Sequence, residues 1–354
     1  MKYGWTTCLT YETGQRRLGH DYFSRLLDEM KKNGMERILV MVENPHNSAC
    51  DPYNHGLDWP AKNPRLKSLV DTKAINAHES SEFFSKIVEK AGNLGIEVFI
   101  EIKYTGTQGV QQSYPGIFEN PDANGRKDMS SFHICCDNDQ AHQYMRDKIE
   151  DVLKKYPEID GVALEHPSYP GPCFCQSTQV KFLLDKGQEI SKAHEEEILD
   201  WQNTRIAWAV SDLMKLARSM QKKVKFGMYT GFSPEDGDIG GYQYRRGHSI
   251  ETLREIGLDF VMPYCEGRHK EKEPQEIERV ITYLDPLTVY LHTTIRKNPP
   301  RGYPVPPKDP RYIKNIIKWA KAYAEKQPRL SGMSFFNEVN IPQENRNAVY
   351  EAIG

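Results

Sequence analysis

The 354-residue chain carries 47 Lys and Arg against 49 Asp and Glu, a formal net charge of -2 at pH 7. That balance gives no electrostatic reason to expect nucleic acid or an anionic membrane as a partner. No apolar run approaches the roughly 18 to 20 residues of a membrane helix, and the start, MKYGWTTCLTYE, lacks an apolar signal region, so a cytoplasmic location is expected.

Short apolar runs rich in Val, Ile and Phe alternate with amphipathic stretches along the whole chain. They read as buried parallel strands alternating with helices. Strand one is 1–9, followed by a helix over 20–33 with Phe23, Leu26, Leu27 and Met30 on one face and Gly34 at its end. Strand two is 37–42. The connector from Asn44 to His78 is too long for an ordinary loop and is expected to be functional. A helix over 79–92 leads to strand three, 97–102, and a polar, Gly-rich segment follows from Tyr104 to Asp137.

A helix over 139–156 precedes strand four, 161–165, and a loop with Pro167, Pro170 and Pro172 follows it. One long helix is predicted over 191–222, with Trp201 and Trp208 seven residues apart on one core-facing side. Strand five is 225–229. Ser249 is the expected N-cap of a short helix ending at Ile256. Strand six is 260–264, strand seven 288–292 and strand eight 332–336, with helices over 274–284 and 311–325 between them and a short one at the C-terminus. Eight such units predict an α/β fold, a (β/α)8 TIM barrel. It is read as a single domain over 1–354 with long loops after strands two, three and four. An open doubly wound sheet is disfavoured, because Trp5-Thr6-Thr7-Cys8 after the first strand is no glycine-rich phosphate turn.

In such folds chemistry collects at the C-terminal strand ends. Glu43, Glu101, Glu165 with His166, Tyr229, Tyr264, Glu266, His292 and Asn337-Glu338 all fall there. Glu165 is the sharpest candidate, because a charge at a barrel strand end is costly without a purpose or a partner. The structural alternative is an ion pair with Lys103. Glu266 lies at the matching place on strand six, although it also opens the charged run to Lys270. Two carboxylates facing one small volume are what glycoside cleavage requires. Glu101 and Lys103 point the same way by strand alternation, which suggests an internal ion pair. His292 and Tyr229 can hydrogen-bond a substrate. Trp5, Trp59, Tyr104, Tyr264 and Phe336 offer flat faces for sugar rings.

Seven cysteines are scattered, with Cys135-Cys136 and Cys173-x-Cys175 the only close pairs. That is no disulfide framework in a chain this long, and Cys-x-Cys is not the usual zinc-binding Cys-x-x-Cys spacing. No metal ligand set and no cofactor is assigned.

The phrase Asp160-Gly161-Val162-Ala163-Leu164-Glu165-His166-Pro167, followed by Pro172-Cys173-Phe174-Cys175, resembles a group of glycoside hydrolase-like TIM barrels. The motif spans 159–181. The resemblance implies a carbohydrate-active enzyme with Glu165 in its active centre. Acids on strands four and six are similar to the α-galactosidase-like clan, which implies Glu165 as nucleophile and Glu266 as acid/base. The chain departs from that clan in having Glu where Asp is usual. It has Ser177 and Thr178 where a third loop cysteine would be expected.

The resulting expectation is a glycoside hydrolase. Its catalytic pair is Glu165 and Glu266, and Trp5, Glu43, Glu101, Lys103, His166, Tyr229, Tyr264, His292, Asn337 and Glu338 contact a carbohydrate substrate. Two alternatives stand beside it. One is a sugar isomerase or lyase using Mg or Mn held by the strand-end carboxylates. The other is a non-catalytic carbohydrate-binding barrel. Basic residues Arg268, His269, Lys270, Arg296, Lys297 and Arg301 near the mouth would favour an acidic sugar. Whether the chain forms a homo-oligomer is left open by the sequence.

Overall fold

The computed structural model of the chain describes residues 1–9, 19–44, 56–70, 82–106, 109–117, 134–165, 167, 173–230, 247–263, 273–295, 308–336 and 341–354. Eight parallel strands close into a barrel. They are β1 (Lys2–Cys8), β2 (Arg37–Met41), β3 (Glu97–Lys103), β4 (Gly161–Glu165), β5 (Lys225–Thr230), β6 (Phe260–Pro263), β7 (Val289–Thr294) and β8 (Leu330–Phe336). Consecutive strands are neighbours, and β8 returns to β1 with Met333 opposite Tyr3. This is the predicted (β/α)8 arrangement.

The helices of more than one turn are α1 (His20–Lys32), α2 (Phe83–Leu94), α3 (Asp139–Lys155), α4 (Gln176–Lys186), α5 (Glu195–Met220), α6 (Ile250–Ile256), α7 (Glu273–Tyr283), α8 (Pro310–Lys326) and α9 (Gln343–Ile353). The face predicted for α1 is the one it buries, through Phe23, Leu26, Leu27 and Met30. Ser249 caps α6 as expected, its side chain accepting from the Thr252 N–H. No helix among the described residues is long and apolar enough to cross a membrane.

Two expectations about the middle of the chain are corrected. The region after β4 holds a separate helix, α4, ahead of α5. The apolar pattern hid it, because Val180, Leu183 and Leu184 lie exposed while Thr178 and Phe182 are buried. Trp201 and Trp208 do not share one environment. Trp201 is buried against Phe182 and donates to Asp185, whereas Trp208 is 44% exposed, its ring tilted against His142 with Arg205 over it. α4 meets α5 through the Asp185 contact at Trp201, about two turns before Trp208.

Inward-facing side chains fill the barrel in layers. At the floor, Glu97 accepts from Lys2 at 2.7 Å, Lys225 at 2.9 Å and Arg37 at 2.6 Å. Burial opposes ionisation of Glu97, but the three cations outweigh it and hold the carboxyl down at about 2. Phe99, Phe260 and Tyr290 form the next layer, with the Arg37 guanidinium 3.9 Å from the Tyr290 ring centroid. Glycine is required beside them: a Cβ at Gly227 would stand 2.4 Å from the Phe260 ring, and one at Gly161 2.9 Å from Phe99. The ring layer separates the ion cluster at the floor from the polar side chains at the C-terminal end.

Candidate active site

β3 and β4 build the centre of the site. Pairing places Glu101 opposite Ala163 and Lys103 opposite Glu165. Alternation then turns Glu101, Lys103 and Glu165 into the barrel, while Ile102 and Leu164 pack outward. The Lys103 ammonium lies 2.6 Å from Glu165 Oε2 and 3.6 Å from Glu101 Oε1. The sequence had offered an ion pair as the structural reading of Glu165, and that pair is present. Tyr229 from β5 donates to Glu101 Oε2 at 2.7 Å, and its oxygen is 3.4 Å from His292 Nδ1 on β7.

The electrostatics separate the two carboxyls. Burial pushes the Glu101 carboxyl well above the usual carboxylate range, and the neighbouring Glu165, within hydrogen-bonding reach, adds to the rise. Lys103 opposes this but stands closer to Glu165. Glu101 is therefore the carboxyl that favours the proton, and the closer Lys103 favours the charge on Glu165. Burial also raises the Tyr229 hydroxyl well above its ordinary value, keeping it a donor. One consistent direction of donation runs from His292 through Tyr229 and Glu101 to Glu165.

This arrangement predicts a pH signature. A carboxyl whose folded pKa is raised adds stability below its unfolded value, and that stability is lost as pH climbs through the folded value. Glu101→Gln keeps the shape and the donor toward Glu165 but cannot ionise. Its melting temperature is expected to gain on the wild type progressively as pH rises above about 4.3, the unperturbed glutamate value. An offset that stays constant with pH in parallel thermal melts would contradict a protonated Glu101.

Glu43 lies behind the site. It is fully buried, and both of its oxygens accept from Lys148 of α3 at 3.0 Å. Glu43 Oε1 also takes the Lys103 backbone N–H at 2.5 Å, and Lys148 donates to the Lys103 carbonyl at 2.7 Å. Burial pushes the Glu43 carboxyl up and the Lys148 ammonium down. The pair clamps the end of β3 and so aims Lys103. Its partner, Lys148, was not legible in the sequence, where it is one lysine in a charged helix.

Trp5 was expected to offer a face to substrate; the structure turns it the other way. Thr6 takes the inward position, 2.6 Å from Ser334. Trp5 therefore packs outward against Phe335 and Tyr350 of α9, and its indole N–H donates to the Tyr350 hydroxyl at 3.1 Å. Trp59 is likewise buried, donating to Asp151 of α3, and Tyr104 is buried. Phe336 is partly exposed, with its ring centroid 5.4 Å from that of His292. His166, Tyr264, Glu266, Asn337 and Glu338 lie outside the described residues, as do Arg268, His269, Lys270, Arg296, Lys297 and Arg301.

Beside the site, Cys135, Cys173 and Cys175 converge with their sulfurs all within 4.8 Å of one another. Among the described residues this is the one group of three or more metal-ligating side chains so gathered. Spacing alone did not reveal it, because Cys135 comes from the segment before α3.

No known family profile and no curated protein sequence matches the chain. Its fold is similar to the glycoside hydrolase domain of PgaB (BpsB) from Bordetella bronchiseptica, at 11% identity and a TM-score of 0.73 over 100% of this chain and 99% of that one. It is similar to the catalytic domain of a β-amylase from Paenibacillus polymyxa at 10% identity and a TM-score of 0.63, over 99% and 97% of the two chains. A β-N-acetylhexosaminidase from Bacteroides fragilis is similar at 12% identity and a TM-score of 0.62, over 99% of this chain and 65% of that one. At such identities the likeness is one of fold.

Proposed function

We propose that the protein is a glycoside hydrolase in which the Glu165 carboxylate acts on the anomeric centre of a carbohydrate held at the barrel mouth. The observation that carries the reading is the cluster at the ends of β3 and β4: Glu165 on the Lys103 ammonium at 2.6 Å, backed by the buried Glu101 carboxyl, which burial and Glu165 push up. The similar barrels named above, a glycoside hydrolase domain, a β-amylase and a β-N-acetylhexosaminidase, support the same reading.

Glu101 does not supply the second catalytic carboxylate. Glycoside cleavage needs two carboxyls about 5 Å or more apart with the sugar between them. Glu101 is within hydrogen-bonding reach of Glu165 and one layer deeper. Its work is to donate to Glu165 and keep it ionised. The opposing acid must come from another strand end, and Glu266, three residues beyond β6, is the residue we assign. Glu165 is then nucleophile or base, and Glu266 protonates the leaving oxygen. The Lys103 ammonium already stands between Glu101 and Glu165 as counter-charge, which disfavours a divalent ion there.

The test is hydrolysis of a panel of aryl and natural α- and β-glycosides by the wild-type protein, with and without EDTA. Turnover of one glycoside class that survives EDTA is expected. Silence across the panel would sink the proposal. So would activity lost to EDTA and restored by Mg or Mn but not by zinc.

A further inference from the structure

We propose that Cys135, Cys173 and Cys175 form a thiolate site for a divalent cation of the zinc class, with the Asp137 carboxylate as fourth donor. The three sulfurs come from two segments: Cys135 precedes α3, while Cys173 and Cys175 precede α4. All three are buried, as are Asp137 and Thr178. Cys135 Sγ and Cys175 Sγ are 3.8 Å apart. A disulfide needs about 2.0 Å. Two thiolates about 2.3 Å from a shared tetrahedral ion stand about 3.8 Å from each other.

Each sulfur also receives a backbone N–H. Asp137 N donates to Cys135 Sγ at 3.4 Å, Cys175 N to Cys173 Sγ at 3.5 Å, and Thr178 N to Cys175 Sγ at 3.4 Å. Three thiols that merely filled a core would not need a donor apiece. Such donors suit sulfurs that carry negative charge. On the fourth side are oxygens. The Thr178 hydroxyl is 3.3 and 3.2 Å from Cys135 and Cys175, and Asp137 Oδ2 is 3.1 Å behind it and 4.0 Å from Cys135. A carboxylate is an ordinary zinc donor and a threonine hydroxyl is not. Asp137 is oriented by Arg205, which donates to its other oxygen at 2.6 Å, and that guanidinium offsets the negative charge of the site.

The ion would tie the segment entering α3 to the segment entering α4, the helices that follow the strands of Lys103 and Glu165. The inference stands on the cysteine cluster alone and does not depend on the glycosidase reading. The test is the metal content of wild type and Cys173→Ser purified with zinc present, together with cobalt(II) titration of the chelator-treated wild type. About one zinc per wild-type chain and much less in the variant is expected. So is a saturable thiolate-to-cobalt absorption band at one equivalent, with a higher melting temperature when loaded. The cobalt band is read on the wild type, so it holds even if the variant folds poorly. No metal above the variant's level together with no cobalt band overturns the proposal. So does a Cys135–Cys175 disulfide found by mass.

Discussion

Glu165→Gln is expected to lower kcat/KM on the responding glycoside by about 10²- to 10⁴-fold while leaving the melting temperature nearly unchanged. The first half follows from removing the carboxylate that attacks or activates at the barrel mouth. The second half follows from the geometry around it. Lys103 is buried and would be left with an amide in place of its counter-ion. Glu101 lies only 3.6 Å from the same ammonium, and the Glu165 charge that raises the Glu101 carboxyl has gone. Glu101 can then ionise and take over the pair, so the substitution transfers the charge inward. Unchanged turnover in Glu165→Gln would remove this residue from the mechanism. A large fall in melting temperature would mean that Glu165 is chiefly structural.

The largest expected loss of stability comes from the clamp behind the site. Lys148→Met leaves Glu43 fully buried without its cation and is expected to cost about 3 to 5 kcal/mol. Equilibrium urea unfolding is the appropriate measurement, with the midpoint moving at constant slope. Adding Glu43→Gln to the same chain should recover much of the loss, because the uncompensated charge causes most of it. The clamp also holds the backbone of Lys103 from both sides, through its N–H and its carbonyl. The single variant should therefore reduce kcat on the responding glycoside as well, since the ammonium that orients Glu165 is no longer aimed. A change of less than about 1 kcal/mol would show that the pair is neutral in the fold and carries no charge to strand.

The sequence and the tertiary structure contribute at different levels, which particular residues make plain. Apolar runs at regular spacing were enough for eight strands in a barrel, because a buried parallel strand is apolar on both faces and differs from its flanking helices in period. That Glu101 and Lys103 share one side of their strand was also legible, because a strand has a period of two. α4 was not legible, because a helix on the outer surface with exposed leucines has no clean stripe to read. Trp5 was misplaced because an aromatic within a strand looks the same in sequence whether it faces the barrel interior or the helices. Only the inward Thr6–Ser334 contact decides its side.

By itself the sequence determined the barrel, the strand ends that carry acids, and the prominence of Glu165, since all of these follow from local period and from the cost of a charge at the end of a buried strand. Only the tertiary structure decided which groups meet. Lys148 lies 105 positions from Glu43, Tyr229 lies 128 from Glu101, and Cys175 lies 40 from Cys135. Closing the sheet on itself brings such distant positions within hydrogen-bonding reach. Protonation and pairing depend on burial and on neighbours at a few ångströms, which residue spacing along a chain does not encode.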